Sequence, residues 1–304
     1  MAQDTWFDIV IPVQRLNENV ITSVSSVLAS KYEDFTIIIG LQNDPMTNNE
    51  QEYYEYLQKD KKIKVVDCKK SYSLPKTLNI SLEQCSHKWT VRHDDDDLMH
   101  PTRLKNLNEL IKMRREEPTI IGQQMRYFKL DPKTRRRYIS TKWCKQKLND
   151  FELKQELLVM PCFYHPAITL NLEKLKFHYN ENYTYAQDYK LYIDNMKGSV
   201  YVGSATKGTY YRIKKDTEVK RQNTLDKQNT KRQMQLQFHE KIMMEMWSKI
   251  GIDLSAKDAR MLRYNLVTKE EPAAFVLKSS DHKDAVDYFN KAKCLFKNYY
   301  ESST

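Results

Sequence analysis

Arg92-His93-Asp94-Asp95-Asp96-Asp97 is the stretch of this 304-residue chain whose residue types most directly imply chemistry. Four adjacent carboxylates are hard to hold at the edge of a fold. At an effective dielectric of about 20 and a separation of about 5 Å, each like-charged pair costs roughly 3 kcal/mol. A partly buried cluster of this kind must shift its pKa values, find cations or bind a metal. Carboxylate oxygens suit magnesium or manganese, and magnesium is usually held by one or two carboxylates together with substrate phosphates. Arg92 offers an internal cation beside the run. The alternative is a solvated acidic turn before a helix, where Asp caps free N–H groups and complements the dipole.

The elements that must position these residues are legible from periodicity. Phe7-Asp8-Ile9-Val10-Ile11-Pro12-Val13 is short, apolar and β-branched, which predicts a buried strand ended by a turn. Asn17 can cap a helix whose apolar positions are Val20, Val24, Val27 and Leu28. A second strand is predicted over 35–40, followed by the polar loop Gln42-Asn43-Asp44-Pro45, and a tyrosine-rich helix over 49–59. A third strand over 63–67 precedes a helix marked by Leu74, Leu78, Leu82 and Cys85. Lys88-Trp89-Thr90-Val91 then runs as a fourth strand into the aspartates, and Pro101 opens the next helix. Four alternations of strand and helix predict an α/β fold with a parallel, doubly wound sheet. The acidic run lies at a strand's carboxyl end, where such sheets bind ligands.

Composition excludes several classes. With 40% hydrophobic and 11% aromatic residues the chain is globular. Its 6 glycines form neither GxGxxG nor GxxxxGK[ST], so a nucleotide must be held without a glycine-rich phosphate loop. The 5 cysteines are scattered without CxxC spacing, as expected of reduced thiols in a cytoplasmic protein. The first residues do not resemble a signal peptide, and no run of about 18 apolar residues is present, so no membrane-spanning segment is expected. A net charge of +10 favours an anionic partner: a phosphorylated substrate, an anionic lipid surface or nucleic acid.

From Phe7 to Arg103 the chain resembles family 2 glycosyltransferases of the GT-A type, the branch that builds bacterial surface polysaccharides. The resemblance is carried by Pro12-Val13 ending the first strand and by Leu74 and Asn79 ahead of the acidic run. It continues through Arg92, Asp94, Asp96, Asp97, Pro101, Arg103 and Leu104. Downstream, His165-Pro166, read as opening a short strand, Gln187-Asp188-Tyr189-Lys190-Leu191 and Tyr210-Tyr211-Arg212 are similar to later family motifs. Three positions depart from the pattern. Gln187 replaces the usual Glu, Asn43-Asp44-Pro45-Met46 replaces an Asp-Asp-Gly-Ser loop, and Lys214 stands where some relatives have a metal-binding histidine.

The resemblance implies a nucleotide diphosphate sugar as donor, of the UDP-sugar kind, with Pro12, Val13, Asp44, Arg92, Asp94 and Asp97 on the donor side. It implies Mn2+ or Mg2+ on Asp94 and Asp96, with Asp97 near the donor sugar. Asp188, at a helix start beside Tyr185 and Tyr189, becomes the candidate general base of an inverting transfer; by itself it could equally be an N-terminal helix residue. Arg92, Arg103 and Arg212 could each contact phosphate or pair with the aspartates.

Residues 133–147 carry seven Lys or Arg and no acid, with Tyr138 and Trp143 interleaved. Such a stretch could bind phosphates and stack on bases or sugars, or be the solvated face of a hairpin turning at Asp131-Pro132. Beyond about residue 217 strand-like alternation stops. Helices are expected over 217–249, 255–266 and 281–300, the last with Val286, Phe289, Ala292 and Phe296 on one stripe. The expected organisation is a catalytic domain over 1–216 and a helical extension over 217–304. The expected acceptor is a lipid-linked or surface glycan, with peripheral contact at the inner membrane face. The alternatives are hydroxylated bases of DNA, and a catalytically inactive glycan- or nucleic-acid-binding module.

Overall fold

The computed structural model describes residues 4–42, 45–69, 71, 73–131, 134, 136–213, 222–266 and 279–302. The chain begins with β1 (Phe7–Val13), α1 (Glu18–Leu28), β2 (Phe35–Leu41), α2 (Asn48–Gln58), β3 (Ile63–Asp67), α3 (Leu74–Leu82) and β4 (Trp89–Arg92). It continues through β5 (Leu98–Met99), α4 (Arg103–Met113), β6 (Ile120–Leu130), β7 (Arg137–Ile139), α5 (Asp150–Glu156), β8 (Ile168–Asn171), α6 (Gln187–Asp194) and β9 (Tyr201–Arg212). It closes with α7 (Gln222–Lys249), α8 (Ala256–Leu266) and α9 (Ser279–Glu301).

Among the described residues the strands form one sheet ordered β3-β2-β1-β4-β8-β6-β9-β5, with β7 added to β6. The first four are parallel and in the doubly wound order, as the alternating pattern predicts. β8 then runs antiparallel to both β4 and β6. His165-Pro166 does not open β8 directly: residues 165–167 form a 3-10 turn and the strand starts at Ile168. Proline lacks the N–H that a strand interior would use, so the turn takes it and the ladder follows.

The central strands β1, β2, β4 and β8 are buried on both faces, and alternate side chains of one strand enter different cores. Phe7, Ile9, Ile11 and Val13 pack with α1, α2 and α4, whereas Val10 packs on the other face with α3, α5 and α6. The cap on α1 is the expected one, Asn17 accepting from Asn19 N at 2.9 Å and Val20 N at 3.4 Å. Gly40 allows α3 to lie against β2, since a Cβ there would sit 2.2 Å from Ser81 Oγ. Buried Asp8 ties β1 to the entry of β4 by accepting from the N–H groups of Ser86 and His87, each at 2.8 Å.

The C-terminal helices share the core of α5 and α6. Met243, Met246 and Trp247 of α7 and Ala292 and Phe296 of α9 are fully buried there, as the stripe on α9 predicts. Trp247 Nε1 donates to the Leu158 carbonyl at 2.7 Å, and Tyr300 OH to Asp150 at 2.7 Å. Residues 217–221 of the predicted helical segment lie outside the described residues.

His239 of α7 is buried against the Tyr189 ring, with centroids 5.4 Å apart. Burial, with Arg263 nearby, pushes its pKa down to about 3. The unfolded chain protonates this histidine near the ordinary value of about 6.5. Below that pH the unfolded state therefore holds more protons than the folded one, and stability falls as pH falls. Between pH 6.5 and 5 the loss from this group is about 2 kcal/mol. Urea melts of His239→Phe should show a flatter decline over that interval than wild type; parallel slopes would clear His239 of the effect.

Candidate active site

The site is built at the carboxyl ends of β1 and β4. The two strands pair only as far as Val10 and Arg92, after which His93 N makes one last bond to Val10 O at 3.1 Å and β4 turns away. Pro12 therefore sits where its side of β1 has no further β4 partner and its missing donor costs nothing. The divergence falls where strand order reverses, between β1 and β4, the place at which such sheets bind ligands, with Pro12 and Val13 at the carboxyl end of β1 and the aspartates following β4. Asp44 lies outside the described residues.

Two serines on the buried side of α1 clip the acidic turn. Ser23 Oγ donates to the Asp94 carbonyl at 2.9 Å and Ser26 Oγ accepts from Met99 N at 2.8 Å. Sequence reading passed over both, although a polar Ser23 beside the apolar stripe of Val20, Val24 and Val27 was a signal that something across the interface needed it. The far end of β9 reaches the same turn, where Arg212 N donates to Asp97 Oδ1 at 2.8 Å and Tyr210 pairs with Leu98.

The aspartates differ in environment. Asp94 and Asp96 are half-buried, while Asp97 is fully buried. Arg92, buried beneath them, donates from Nη2 to Asp94 Oδ1 at 2.5 Å and from Nη1 to the His93 carbonyl. Burial, with Asp94 and Asp96 beside it, pushes the Asp97 carboxyl up to about 8 against the opposing Arg212 N–H. Its Oδ2 is buried with no hydrogen-bond partner, and a buried oxygen in this position is an unmet demand for a proton or a cation. Among the described residues no three His, Cys, Asp or Glu gather as ligands. A hard divalent ion fits this set if the remaining ligands come from phosphate oxygens, which is the magnesium habit.

Arg103 is a structural residue. It is fully buried and donates to Gln123, Thr209 and the carbonyls of Arg92, Pro166 and Ile168 at 2.8–3.2 Å. It thereby ties α4 to β4, β8, β6 and β9 behind the site.

Asp188 belongs to the same neighbourhood. Burial raises its pKa, the N–H groups of Tyr189 and of Asp188 itself oppose this, and Arg92 and Asp94 are close enough to lower and raise it in turn. The chain enters α6 through Ala186 at φ 54°, a left-handed conformation uncommon for a residue with a Cβ. Opposite lies Tyr179, which sequence reading did not find because the loop before α6 has no period. Asn79 holds its backbone in both directions, accepting from Tyr179 N at 3.0 Å and donating to Tyr179 O at 2.9 Å. The Tyr179 hydroxyl lies 2.8 Å from His165 Nε2. Two positions that sequence resemblance singled out, Asn79 and His165, are thus joined through a residue it did not. Burial, with Arg92 nearby, holds His165 neutral well below the usual range.

The sequence profile described as Glycosyl transferase family 2 matches residues 8–174, more than half of the chain. The chain belongs to glycosyl transferase family 2. An uncharacterised glycosyltransferase from Haemophilus influenzae is 25% identical over 182 residues, which cover 56% of this chain and 54% of that protein. The chain thus spans about half the length of that relative. Among solved structures, S. aureus TarS 1–349 in complex with UDP-GlcNAc shares the fold with a TM-score of 0.59 at 12% identity, over 95% of this family 2 chain and 81% of TarS 1–349. Mannosyltransferase PcManGT from Pyrobaculum calidifontis, in complex with GDP-Man and Mn2+, aligns with a TM-score of 0.55 at 10% identity, over 96% and 87% of the two chains. The GT-A arrangement with C-terminal helices is therefore the fold of this family 2 protein.

Proposed function

We propose that this protein transfers a sugar, with inversion, from a nucleotide diphosphate sugar to an acceptor hydroxyl. The observation that carries the reading is the convergence of Asp94, Asp96 and Asp97 with Asp188 around the carboxyl end of β4. Family membership supports it, as do the fold neighbours captured with UDP-GlcNAc and with GDP-Man and Mn2+. Pro12, Val13, Asp44 and Arg92 would line the donor side, with Asp97 towards the sugar. Asp94 and Asp96 would hold Mg2+ or Mn2+ together with the diphosphate of a UDP-sugar, and the ion would neutralise charge on the leaving group. Asp188 takes the proton from the acceptor hydroxyl as its oxygen bonds to the anomeric carbon and the bond to the diphosphate breaks; a carboxyl whose pKa is raised by burial is the better base for that task. No second carboxylate is needed as nucleophile in an inverting transfer.

The acceptor in this reading is a lipid-linked or surface glycan, handled by a cytoplasmic protein at the inner membrane face. No described helix is long and apolar enough to cross a membrane. The basic stretch over 133–147 also favours a second reading, transfer to hydroxylated bases of DNA. Residues 217–304 would serve as a helical extension of a catalytic domain over 1–216.

Thermal unfolding with nucleoside diphosphates tests the donor and metal together. A ligand at about 100 times its Kd adds about 2.7 kcal/mol, several degrees in Tm for a chain of this size. That shift should appear only with magnesium or manganese and vanish in Asp96→Ala. An equal shift in the presence of a chelator would reject the metal role.

A further inference from the structure

The hairpin of β6 and β7 presents a surface that sugar transfer alone does not use. Of the nine large hydrophobic side chains exposed among the described residues, four lie between 127 and 148: Tyr127, Tyr138, Ile139 and Leu148. All three residues of β7 are exposed, although β7 is firmly paired, with Phe128 opposite Ile139, Lys129 opposite Tyr138 and Leu130 opposite Arg137. β7 is a short edge strand, Arg137-Tyr138-Ile139, whose length and charge guard it against pairing with another chain, and the exposed Tyr138 and Ile139 beside those charges point to a partner that takes both apolar surface and cations. Around it stand Lys129, Arg136, Arg137, Lys142, Lys145 and Lys147, all exposed, and none forms a salt bridge with a described acid. Cations with apolar side chains projecting among them match the charged headgroups and upper acyl region of a bilayer.

Two observations separate a lipid surface from nucleic acid. Trp143, the aromatic best suited to stack on a base, is packed inward against Tyr210 and His100, with centroids 5.3 and 5.8 Å away and Arg126 and Lys207 over its ring. Ile139 and Leu148 offer no ring to a base but suit an acyl environment, whereas the exposed rings of Tyr127 and Tyr138 fit either surface, tyrosine also being at home at headgroup level. Beside the hairpin a groove of about 560 Å³ runs against α1, floored by Leu98, Met99 and Phe128 and walled by Ile21 and Ile139. A smaller hollow of about 190 Å³, sharing Leu98, Phe128 and Arg137 with it, reaches Asp96 and Arg212. The apolar groove thus leads from the hairpin towards the acidic turn.

We propose that the paired strands β6 and β7, with residues 140–148 that follow them, dock this protein on an anionic lipid bilayer, the apolar side chains entering the interface and the cations contacting headgroups. The proposal deepens the acceptor reading above, on which its purpose rests, while its test is independent of sugar transfer. Flotation with phosphatidylcholine vesicles and with phosphatidylcholine–phosphatidylglycerol vesicles at physiological salt should show binding to the second kind alone. Tyr138→Ser, Ile139→Ser and Leu148→Ser combined should weaken that binding by about tenfold or more, and Arg136→Ala, Lys142→Ala and Lys145→Ala combined should abolish the preference for anionic vesicles. Both variants should keep the metal-dependent nucleotide shift in Tm, because none of these residues holds the donor. Absence of binding to anionic vesicles, or unchanged flotation of the serine variant, would overturn the docking. So would duplex DNA displacing the protein from vesicles. If the nucleotide shift survives that failure, the donor reading stands without the membrane; if the shift is missing while vesicles bind, the reverse holds.

Discussion

Asp188→Asn should bind the nucleotide sugar as wild type does and transfer sugar about 10²–10⁴-fold more slowly, the usual cost of removing a general base. The amide fills nearly the same volume, so α6 and its contacts are kept and the donor side is untouched. What is lost is the ability to take a proton. The effect should therefore fall on the chemical step, and single-turnover rates at saturating donor would show it with Kd for the donor unchanged. Because burial raises the Asp188 pKa, the wild-type rate should climb with pH as the carboxyl deprotonates, and this limb should be absent from the residual activity of the variant. Transfer at the original rate would remove Asp188 from the mechanism. A parallel loss of donor binding would instead make it part of the donor site.

Arg103→Ala should destabilise the fold by about 3–5 kcal/mol, the range for emptying the site of a large buried side chain, here with buried acceptors left unpaired. The guanidinium is completely enclosed, and burial pushes its pKa down to about 9, opposed by Asp97. Its removal would leave the carbonyls of Arg92, Pro166 and Ile168 without this donor and open a cavity among four strands. Arg103→Lys should recover little, since an ammonium has neither the planar fork nor enough donors for these acceptors. Urea midpoints at neutral pH measure both. A wild-type midpoint for Arg103→Ala would show that the five bonds contribute no net stability.

Much of the N-terminal half was legible in the chain itself. The parallel strands, the Asn17 cap and the placement of the aspartates after β4 follow from local rules: apolar period, capping chemistry and the cost of adjacent carboxylates. Three of the four stripe positions of α9 were legible for the same reason, Phe289, Ala292 and Phe296 packing into the core while Val286 is only half-buried outside it. The hairpin after Leu130 was readable as one of two options, and the pairing of β6 with β7 is that hairpin.

Tertiary structure alone decided what depends on partners distant in sequence. Arg103 looked equally fit for phosphate or for structure, and only enclosure by β4, β8, β6 and β9 makes it structural. Tyr179 has no periodic signature, because an irregular loop is shaped by what it touches, here Asn79 from a hundred residues earlier and His165. Trp143 is packed against Tyr210 and His100 while Ile139 and Leu148 are exposed, an inversion of what residue type suggests, because the remote segments that meet at the hairpin decide which side chains are covered. Residue types and their spacing thus determined the candidate chemistry and the strands that carry it. The balance of burial and charge around Asp97 and Asp188 arises only where remote segments meet, since desolvation and Coulomb interaction depend on distance in space and not along the chain.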